Sequence, residues 1–275
     1  VTNVVTPLTS NPPLATPLTF TGAVTFANAR QLAGAAGLAP NTVDPGFNNA
    51  YVQSWNLNIQ REVGRDIGVT IGYFGTKGTH LRISRNINQP INGVRPFPRL
   101  SASDPFRPNA SLNNITQIEG SGNSSYNALW LTANKRFSRG FQFNASYTFS
   151  KSIDYNSLNS QGIVVQDSYN LRGSRGLSDY DARHRFVVSG LYELPFRGNQ
   201  LKEGWQLSTI VQSQSGNPVN IVVNNATFTG TNNTVRPDVT GPIAILGTPN
   251  RWFDIAPFAV PVGRFGNLGR NVVIG

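Results

Sequence analysis

Cysteine and methionine are both absent from the 275 residues of this sequence. The lack of cysteine excludes disulfides, thiolate metal sites and thiol nucleophiles. A chain that begins at Val1 and contains no methionine is expected to be a processed or partial piece of a longer product. Long apolar runs are missing as well, and none reaches the roughly 18 residues that a transmembrane helix needs. If the protein meets a membrane, it is expected to cross it with strands.

Charged residues make up only 13% of the chain, and they are unbalanced, with 23 Lys and Arg against 13 Asp and Glu. The basic residues are scattered through turns and loops, for example at Arg61, Lys135 and Arg139, and they form no dense stripe or nucleic-acid-binding motif. We interpret them as cations at strand ends that meet lipid head groups or water, and we expect no nucleic-acid partner.

Candidate catalytic and metal-binding residues are few. Asp179, Asp181 and His184 lie close together, but the charges between 179 and 185 alternate in sign, which favours ion pairs over acid–base or metal chemistry. His80 has no partner ligands nearby in sequence, and the chain contains no GxSxG, HExxH or phosphate-binding-loop motif. The sequence therefore predicts no catalytic residue, no cofactor and no metal site, and hence a protein that is not an enzyme.

Period-two alternation is the main pattern that the sequence does contain, and it is clearest across residues 127–153. A short turn at 138–140 separates two alternating stretches. In the second stretch, apolar and uncharged polar residues alternate, namely Phe141, Phe143, Ala145, Tyr147 and Phe149 with Gln142, Asn144, Ser146, Thr148 and Ser150. Such alternation indicates a β-hairpin with one face toward lipid or a core and the other toward water.

The same pattern recurs in two further pairs of stretches. Residues 51–63 and 67–73 flank a tight turn, and residues 183–194 and 204–213 flank a turn containing Pro195. The sequence thus predicts six strands. Their length suits a tilted crossing of a bilayer, which takes about 9–11 residues, and their polar face carries almost no charge, as a barrel lumen allows.

We therefore predict an all-β fold made of antiparallel up-and-down hairpins of an outer-membrane-type β-barrel, of which the sequence covers a part. A soluble β-sandwich or adhesin fits less well, because a polar face exposed to bulk water normally carries more charge. Three regions are predicted. Residues 1–50 form a Pro-, Thr- and Gly-rich loop or irregular lead-in, residues 51–223 form the hairpins with long loops at 86–124 and 152–181, and residues 224–275 form a loop-rich segment that leads to missing closing strands.

Aromatic residues on the predicted strands have two interpretations. The favoured one places them at the two membrane interfaces, where amphipathic rings are common, and the alternative is a sugar-stacking surface. The set consists of Trp55, Tyr73, Trp130, Tyr147, Tyr192 and Trp205. Tyr155 and Tyr169 lie in a predicted loop and are the better candidates for ligand contact, since recognition is common on exposed loops.

Several segments resemble a known family. They are YVQSWNLNIQREVGRDIGVTIGYFGTKGTHL from Tyr51, NINQP from Asn86, SSYNALWLTANKRFSRGFQFNASYTFSKSID from Ser124, RGLSDYDARHRFVVSGLYELPF from Arg175 and NRWFDIAPFAVPVGRFGNLGRN from Asn250. Together they look like the barrel portion of TonB-dependent outer-membrane receptors. The nearest subgroup is the Oar-like one, which carries a carboxypeptidase-regulatory-like domain at the amino end.

The resemblance implies a plugged barrel of about 22 strands in the bacterial outer membrane. It also implies contact with outer-membrane lipid and energised uptake of an unidentified solute, driven by an inner-membrane energy-coupling protein. The chain departs from the family in that no plug domain and no segment that contacts the coupling protein can be identified, and the sequence stops where closing strands are expected. A second hypothesis therefore stays open: a barrel-derived fragment that self-assembles through open strand edges into an extracellular filament or other structural assembly.

Overall fold

The computed structural model describes residues 2–5, 18–21, 38–104, 108–157, 165–199, 201–223 and 235–275. In these residues the chain is almost entirely strand and loop, with one 3₁₀ turn at Leu171–Ser174. The strands are β1 (Thr2–Val5), β2 (Leu18–Thr21), β3 (Asn41–Val43), β4 (Tyr51–Val63), β5 (Ile67–Asn86), β6 (Thr116–Ser138), β7 (Phe141–Asp154), β8 (Gly176–Leu177), β9 (His184–Glu193), β10 (Gln206–Gln214), β11 (Pro218–Val219), β12 (Asp238–Val239), β13 (Ile245–Thr248), β14 (Arg251–Phe253), β15 (Phe258–Ala259) and β16 (Val273–Ile274). The described part contains no helix that is both long and apolar enough to span a membrane.

Six long strands form the main sheet, in the order β10-β9-β7-β6-β5-β4, and every neighbouring pair is antiparallel. Long strands that follow one another in the chain are therefore neighbours in the sheet, which is the up-and-down arrangement that the alternation predicts. The all-β prediction and the six predicted strands are confirmed. Two short strands join the sheet at its margin, where β3 pairs in parallel with β6 and β8 pairs with the end of β7.

Strands β5 and β6 run further than their sequence pattern suggested. The loop predicted at 86–124 is shorter in the structure, because residues from Thr116 onward already pair with β5. This extension is rich in Gly and Ser and has no hydrophobic alternation to reveal it. The pairing register shifts twice between Gly78 and Ile83, and His80 there has a φ of 56°, so a bulge realigns the two strands before they continue. The predicted loop at 152–181 likewise loses its first residues to β7 and contains β8.

The register places apolar side chains from all the long strands on one face of the sheet. One cross-strand row contains Ile59, Ile71, Leu131, Tyr147 and Phe186. Large apolar side chains on this face are exposed, including Leu57, Ile59, Ile71, Leu131, Phe149, Leu207 and Val211. In the described part of the chain no second sheet covers them, so the two-layer packing of a soluble sandwich is not present there. We call this surface the apolar face and the opposite one the polar face.

The two ends of the sheet differ. At one end tight turns join β4 to β5 and β6 to β7, and at the other end residues 87–115 and 155–183 form long connections. Most of the best-buried apolar side chains lie in or next to these connections and in the segment 235–275, namely Ile83, Leu112, Val165, Val235, Leu268 and Val273. Ala128 is also buried and lies within the sheet. The core of the described chain therefore lies at the long-loop end, and the sheet itself is a single layer.

The turn between β6 and β7 provides a test of this architecture. Arg139 and Gly140 have φ angles of 54° and 73°, so both residues of the two-residue turn are in the left-handed region, as in a type I′ hairpin. Arg139→Asn is expected to raise the free energy of unfolding by about 0.5–1 kcal/mol, because Asn tolerates this conformation better than Arg. Gly140→Ala is expected to lower it by about 1–2 kcal/mol. Urea unfolding of the protein in detergent micelles measures both, and a destabilised Arg139→Asn variant would contradict the turn.

Candidate functional site

The long connections and the segment 235–275 interlock at the long-loop end of the sheet. Arg270 is at the centre of one contact, and its side chain is only 7% exposed. Its guanidinium donates to Asp154 Oδ1 at 2.5 Å, to Ser157 Oγ at 2.7 Å and to Asp179 Oδ1 at 2.9 Å. Asp154 ends β7 and Asp179 follows β8, so one buried cation joins the end of the sheet to the loop that leaves it.

The residue after Arg270 strengthens the same contact. Asn271 is buried, and its side-chain amide donates to Leu177 O and to Asp179 Oδ1, both at 2.6 Å. Gly176 lies against the backbone of Arg270, where a Cβ would overlap the Arg270 carbonyl oxygen. A close backbone approach of this kind requires glycine. The segment around 270 is therefore fitted to β8, and the two are held together by charge-assisted hydrogen bonds.

A second contact joins the two long connections to each other. Gln89 Nε2 donates to Gln166 O at 2.9 Å, and Ser168 N donates back to Gln89 Oε1 at 2.7 Å. The hydroxyl of Tyr169 donates to the carbonyl oxygens of Ile87 and Gln89 at 3.2 and 3.0 Å. Partial burial raises the pKa of Tyr169. Buried polar groups that are this fully paired fix one arrangement of the loops.

Arg236 connects segment 235–275 to the second long connection. Its backbone N–H donates to Gln166 Oε1 at 2.6 Å, and its guanidinium donates to Leu268 O and to Gly173 O, both at 2.7 Å. Burial lowers the pKa of Arg236, and the positive charge of Arg270 lowers it further. The described parts of the two long connections and the segment 235–275 are thus joined to one another. We call the network around Gln89, Gln166, Arg236 and Arg270 the loop cap.

The end of the second long connection lies against the polar face of the sheet. Tyr180, Asp181 and Ala182 line a cavity of about 240 Å³ together with the polar-face residues Tyr126 and Thr148. Asp181 is buried, and its carboxylate accepts from the backbone N–H of Ser152 at 2.6 Å. Any solute in this cavity would therefore contact the end of the second long connection.

The residues predicted for membrane interfaces lie in different places. Trp55, Tyr73, Tyr147 and Tyr192 are on the apolar face, as the register shows. The Tyr73 hydroxyl donates to Asn127 Oδ1 at 2.7 Å, and Tyr147 Oη is hydrogen-bonded to His184 Nδ1 at 2.8 Å. Each of these two rings is thus apolar with a satisfied polar tip, the combination that suits an interface. Trp205 directly precedes β10, and its indole donates to Leu201 O at 2.8 Å.

Trp130 is on the opposite face from the one expected for an interface residue. It pairs with Gly72 and Thr148 in the register, and it shares a cavity with the polar-face residues Asn56 and Asn58. The error arose because Trp130 lies in an unbroken apolar run, Ala-Leu-Trp-Leu at 128–131, where alternation is invisible. Counting back in twos from Asn134 would have found the correct face.

The other predicted residues have separate partners. Tyr169 belongs to the loop cap through its hydroxyl, although the residue is 47% exposed, and Tyr155 is half-buried directly after β7. Asp179 and Asp181 contact different partners, as described above, and His184 stacks against Tyr147 on the apolar face. His80 Nδ1 lies 3.1 Å from Gly120 O. These side chains therefore take part in packing and hydrogen bonds at separate places.

Comparison with known proteins identifies the architecture. Residues 1–275 match the protein family described as outer membrane beta barrel domain. Among solved structures, the crystal structure of the outer membrane transporter YddB from Escherichia coli is similar, with 12% identity and a TM-score of 0.43, over 70% of this chain and 24% of the transporter. The chain thus spans well under two thirds of that protein's length. A search of curated proteins found no match.

Loss of the buried cation tests the loop cap. Arg270→Ala leaves the carboxylate of Asp154 buried without its partner, and such a change costs about 3–5 kcal/mol. Arg251→Ala is a matched control, because the Arg251–Asp254 pair in the same segment is exposed, and exposed pairs contribute about 0–1 kcal/mol. We expect Arg270→Ala alone to accelerate limited proteolysis of residues 155–183 and 235–275. Equal proteolysis of the two variants would contradict a structural role for the buried pair.

Proposed function

The chain belongs to the outer membrane β-barrel domain family and lies in the bacterial outer membrane, and from this premise we propose that it forms part of the barrel of a TonB-dependent receptor of the Oar-like kind. In this proposal the receptor takes up a solute at the cell surface and admits it through the lumen. Energy comes from an inner-membrane coupling protein, and the barrel performs no chemical reaction. The solute is not identified by the resemblance.

The loop cap is the observation that supports this function best. The two long connections are joined to each other through Gln89 and Tyr169, and Arg236 and Arg270 join the second one to the segment 235–275. The end of the second connection lines a cavity with the polar face, an arrangement that suits a barrel whose entrance is controlled. A simple diffusion pore requires an open passage above its polar face. Controlled entry in turn calls for an energy source, which the resemblance to TonB-dependent receptors supplies.

The apolar face defines the lipid contact of the proposed barrel. It is continuous across the six long strands, and its side chains are exposed in the described chain. Closure of the barrel by further strands satisfies the backbone groups of the edge strands β4 and β10, as the absence of water in the bilayer core requires. Within this proposal Trp55, Tyr73, Tyr147, Tyr192 and Trp205 anchor the strands at the membrane interfaces.

A second candidate function has its own supporting observation. Strands β4 and β10 each have one neighbour in the sheet, and both are exposed along their whole length. Unpaired edges of 13 and 9 residues can template pairing with other copies of the chain. Electron microscopy of native material prepared without detergent separates the two functions, because regular fibres favour the assembly and detergent-dependent single barrels favour the receptor.

Uptake can be tested without knowing the solute. Cells that contain the gene and cells that lack it are grown in the same medium, and the medium is compared by mass spectrometry over time. We expect at least one solute to be depleted only by cells with the gene, and we expect a protonophore to stop that depletion. Depletion that persists with the protonophore would indicate passive flow, and identical media would overturn a transport function.

The orientation of the sheet in the membrane gives a second prediction. Leu131 is on the apolar face, and its neighbour Thr132 is on the polar face, paired with Thr70 and Ser146. Leu131→Arg is expected to destabilise the barrel by up to about 4 kcal/mol, because arginine is costly on the lipid face. Thr132→Arg, which faces the lumen, is expected to cost much less. Unfolding in lipid vesicles measures both, and a larger effect at Thr132 would reverse the assignment of the faces.

A further inference from the structure

We propose that the polar face of the sheet carries a binding site for a neutral oligosaccharide, built around Tyr126, Trp130 and Phe74. This inference rests on the proposed uptake function and names the chemical class of the solute. It starts from an unexpected arrangement, since three aromatic side chains lie together on the polar face, beside Asn56, Asn58 and Thr148. Aromatic rings on a lumen-facing surface are not explained by contact with lipid.

The geometry of the strands forms a groove between two of these rings. Tyr126 and Trp130 are four residues apart on β6, which separates their Cα atoms by about 13 Å along an extended strand. Ala128 lies between them and forms the floor of the groove, and its small side chain is only 4% exposed. Phe74 pairs with Ala128 in the register and closes one side, with its ring centroid 6.1 Å from that of Tyr126. The resulting cavity has a volume of about 380 Å³, within the range of small-molecule sites.

Trp130 is held flat against the sheet. A Cβ on Gly72 would overlap both the Nε1 atom of Trp130 and the Oδ1 atom of Asn58, so the indole lies directly over the glycine of the neighbouring strand. The Nε1 and Cε2 atoms of the ring thus lie close to the backbone of Gly72, and the residue as a whole is half-exposed. The exposed part of the ring is presented to the lumen, and contact with Gly72 restricts the ring, which lowers the entropy cost of stacking a ligand on it.

The polar atoms around the rings are available to a ligand. Within the described part of the chain, no hydrogen bond engages the Tyr126 hydroxyl, the Trp130 indole N–H or the side chains of Asn56, Asn58 and Thr148. These groups include both donors and acceptors. Such a mixture matches the hydroxyl groups of a sugar, each of which also donates and accepts.

The charge of the residues that line the cavity distinguishes a saccharide from other solutes with flat faces. The residues that line the cavity are all uncharged. A site for a phosphorylated or carboxylated solute would be expected to present Arg or Lys to it, and a site for a cation would present carboxylates. Open ring faces combined with amide and hydroxyl groups therefore fit a neutral, hydroxyl-rich ligand. Tyr126 and Thr148 line both this cavity and the one at the end of the second long connection, so the ligand would lie on the proposed uptake path.

Binding is tested by calorimetry on the protein purified from outer membranes in detergent. The probes are maltohexaose, cellohexaose, xylohexaose and mannohexaose, with hexagalacturonate as the charged comparison. We expect at least one neutral probe to bind and the charged one to bind more weakly. Trp130→Ala and Tyr126→Ala should each weaken binding at least about tenfold, as for aromatic side chains that cover a ligand, and Ala128→Phe should abolish binding by filling the floor.

Two controls keep the test decisive. Tyr126→Phe retains the ring and should keep most of the affinity, whereas Leu131→Ala alters the apolar face of the same strand and should leave affinity unchanged. Circular dichroism and the unfolding midpoint confirm that each variant is folded. The site is overturned if no neutral probe binds, or if Trp130→Ala and Ala128→Phe bind like the unaltered protein. If cells with the gene deplete a solute that is not a saccharide, and a protonophore stops this depletion, the oligosaccharide site is overturned and the uptake function stands. If the cells deplete no solute, the uptake function is overturned as well.

Discussion

The antiparallel hydrogen-bond ladder of the six long strands is the constraint on which the rest of the structure depends. Side chains alternate between the two faces with a period of two, so a slip of one residue in one strand would move all its apolar side chains to the polar face. The ladder also gives the backbone N–H and C=O groups hydrogen-bond partners. These partners are required because the hydrocarbon of a membrane cannot form hydrogen bonds. A single-layer sheet has no packed core beneath it that would disfavour a shifted register. The strand pairing itself must therefore determine which side chains lie on each face.

The loop cap is built on the end of that ladder and uses a different source of order. Apolar side chains are few among the loops, and the buried groups are largely Asn, Gln, Ser, Asp and Arg. Their arrangement is held by charge-assisted hydrogen bonds, such as those of Arg270 with Asp154 and Asp179. Asp154 is the last residue of β7, so a shift in the sheet register would withdraw an acceptor from a buried guanidinium. Sheet and cap are therefore energetically linked through one side chain.

The sequence predicts these two parts to very different extents. The hairpins are local, and alternation at Phe141–Phe149 or at Leu57 and Ile59 identifies strand, partner and face without tertiary information. The contacts of the loop cap join residues far apart, such as Asp154 with Arg270, and no local pattern encodes them. Alternation also gives no prediction where consecutive residues have similar polarity. This is the case in the Gly- and Ser-rich start of β6 and in the apolar run around Trp130. Both failures lie at places where the chain departs from a simple membrane strand.

Two glycines of β5 show how little separates a lipid contact from a lumen site. Gly75 lies beneath the indole of Trp55 on the apolar face, and Gly72 lies beneath the indole of Trp130 on the polar face. In both cases a missing Cβ lets a tryptophan of an adjacent strand lie flat on the backbone. The glycines are an odd number of residues apart, so the same packing device points in opposite directions. On one face it adds apolar surface for lipid; on the other, beside unpaired amides, it offers a ring face to a solute.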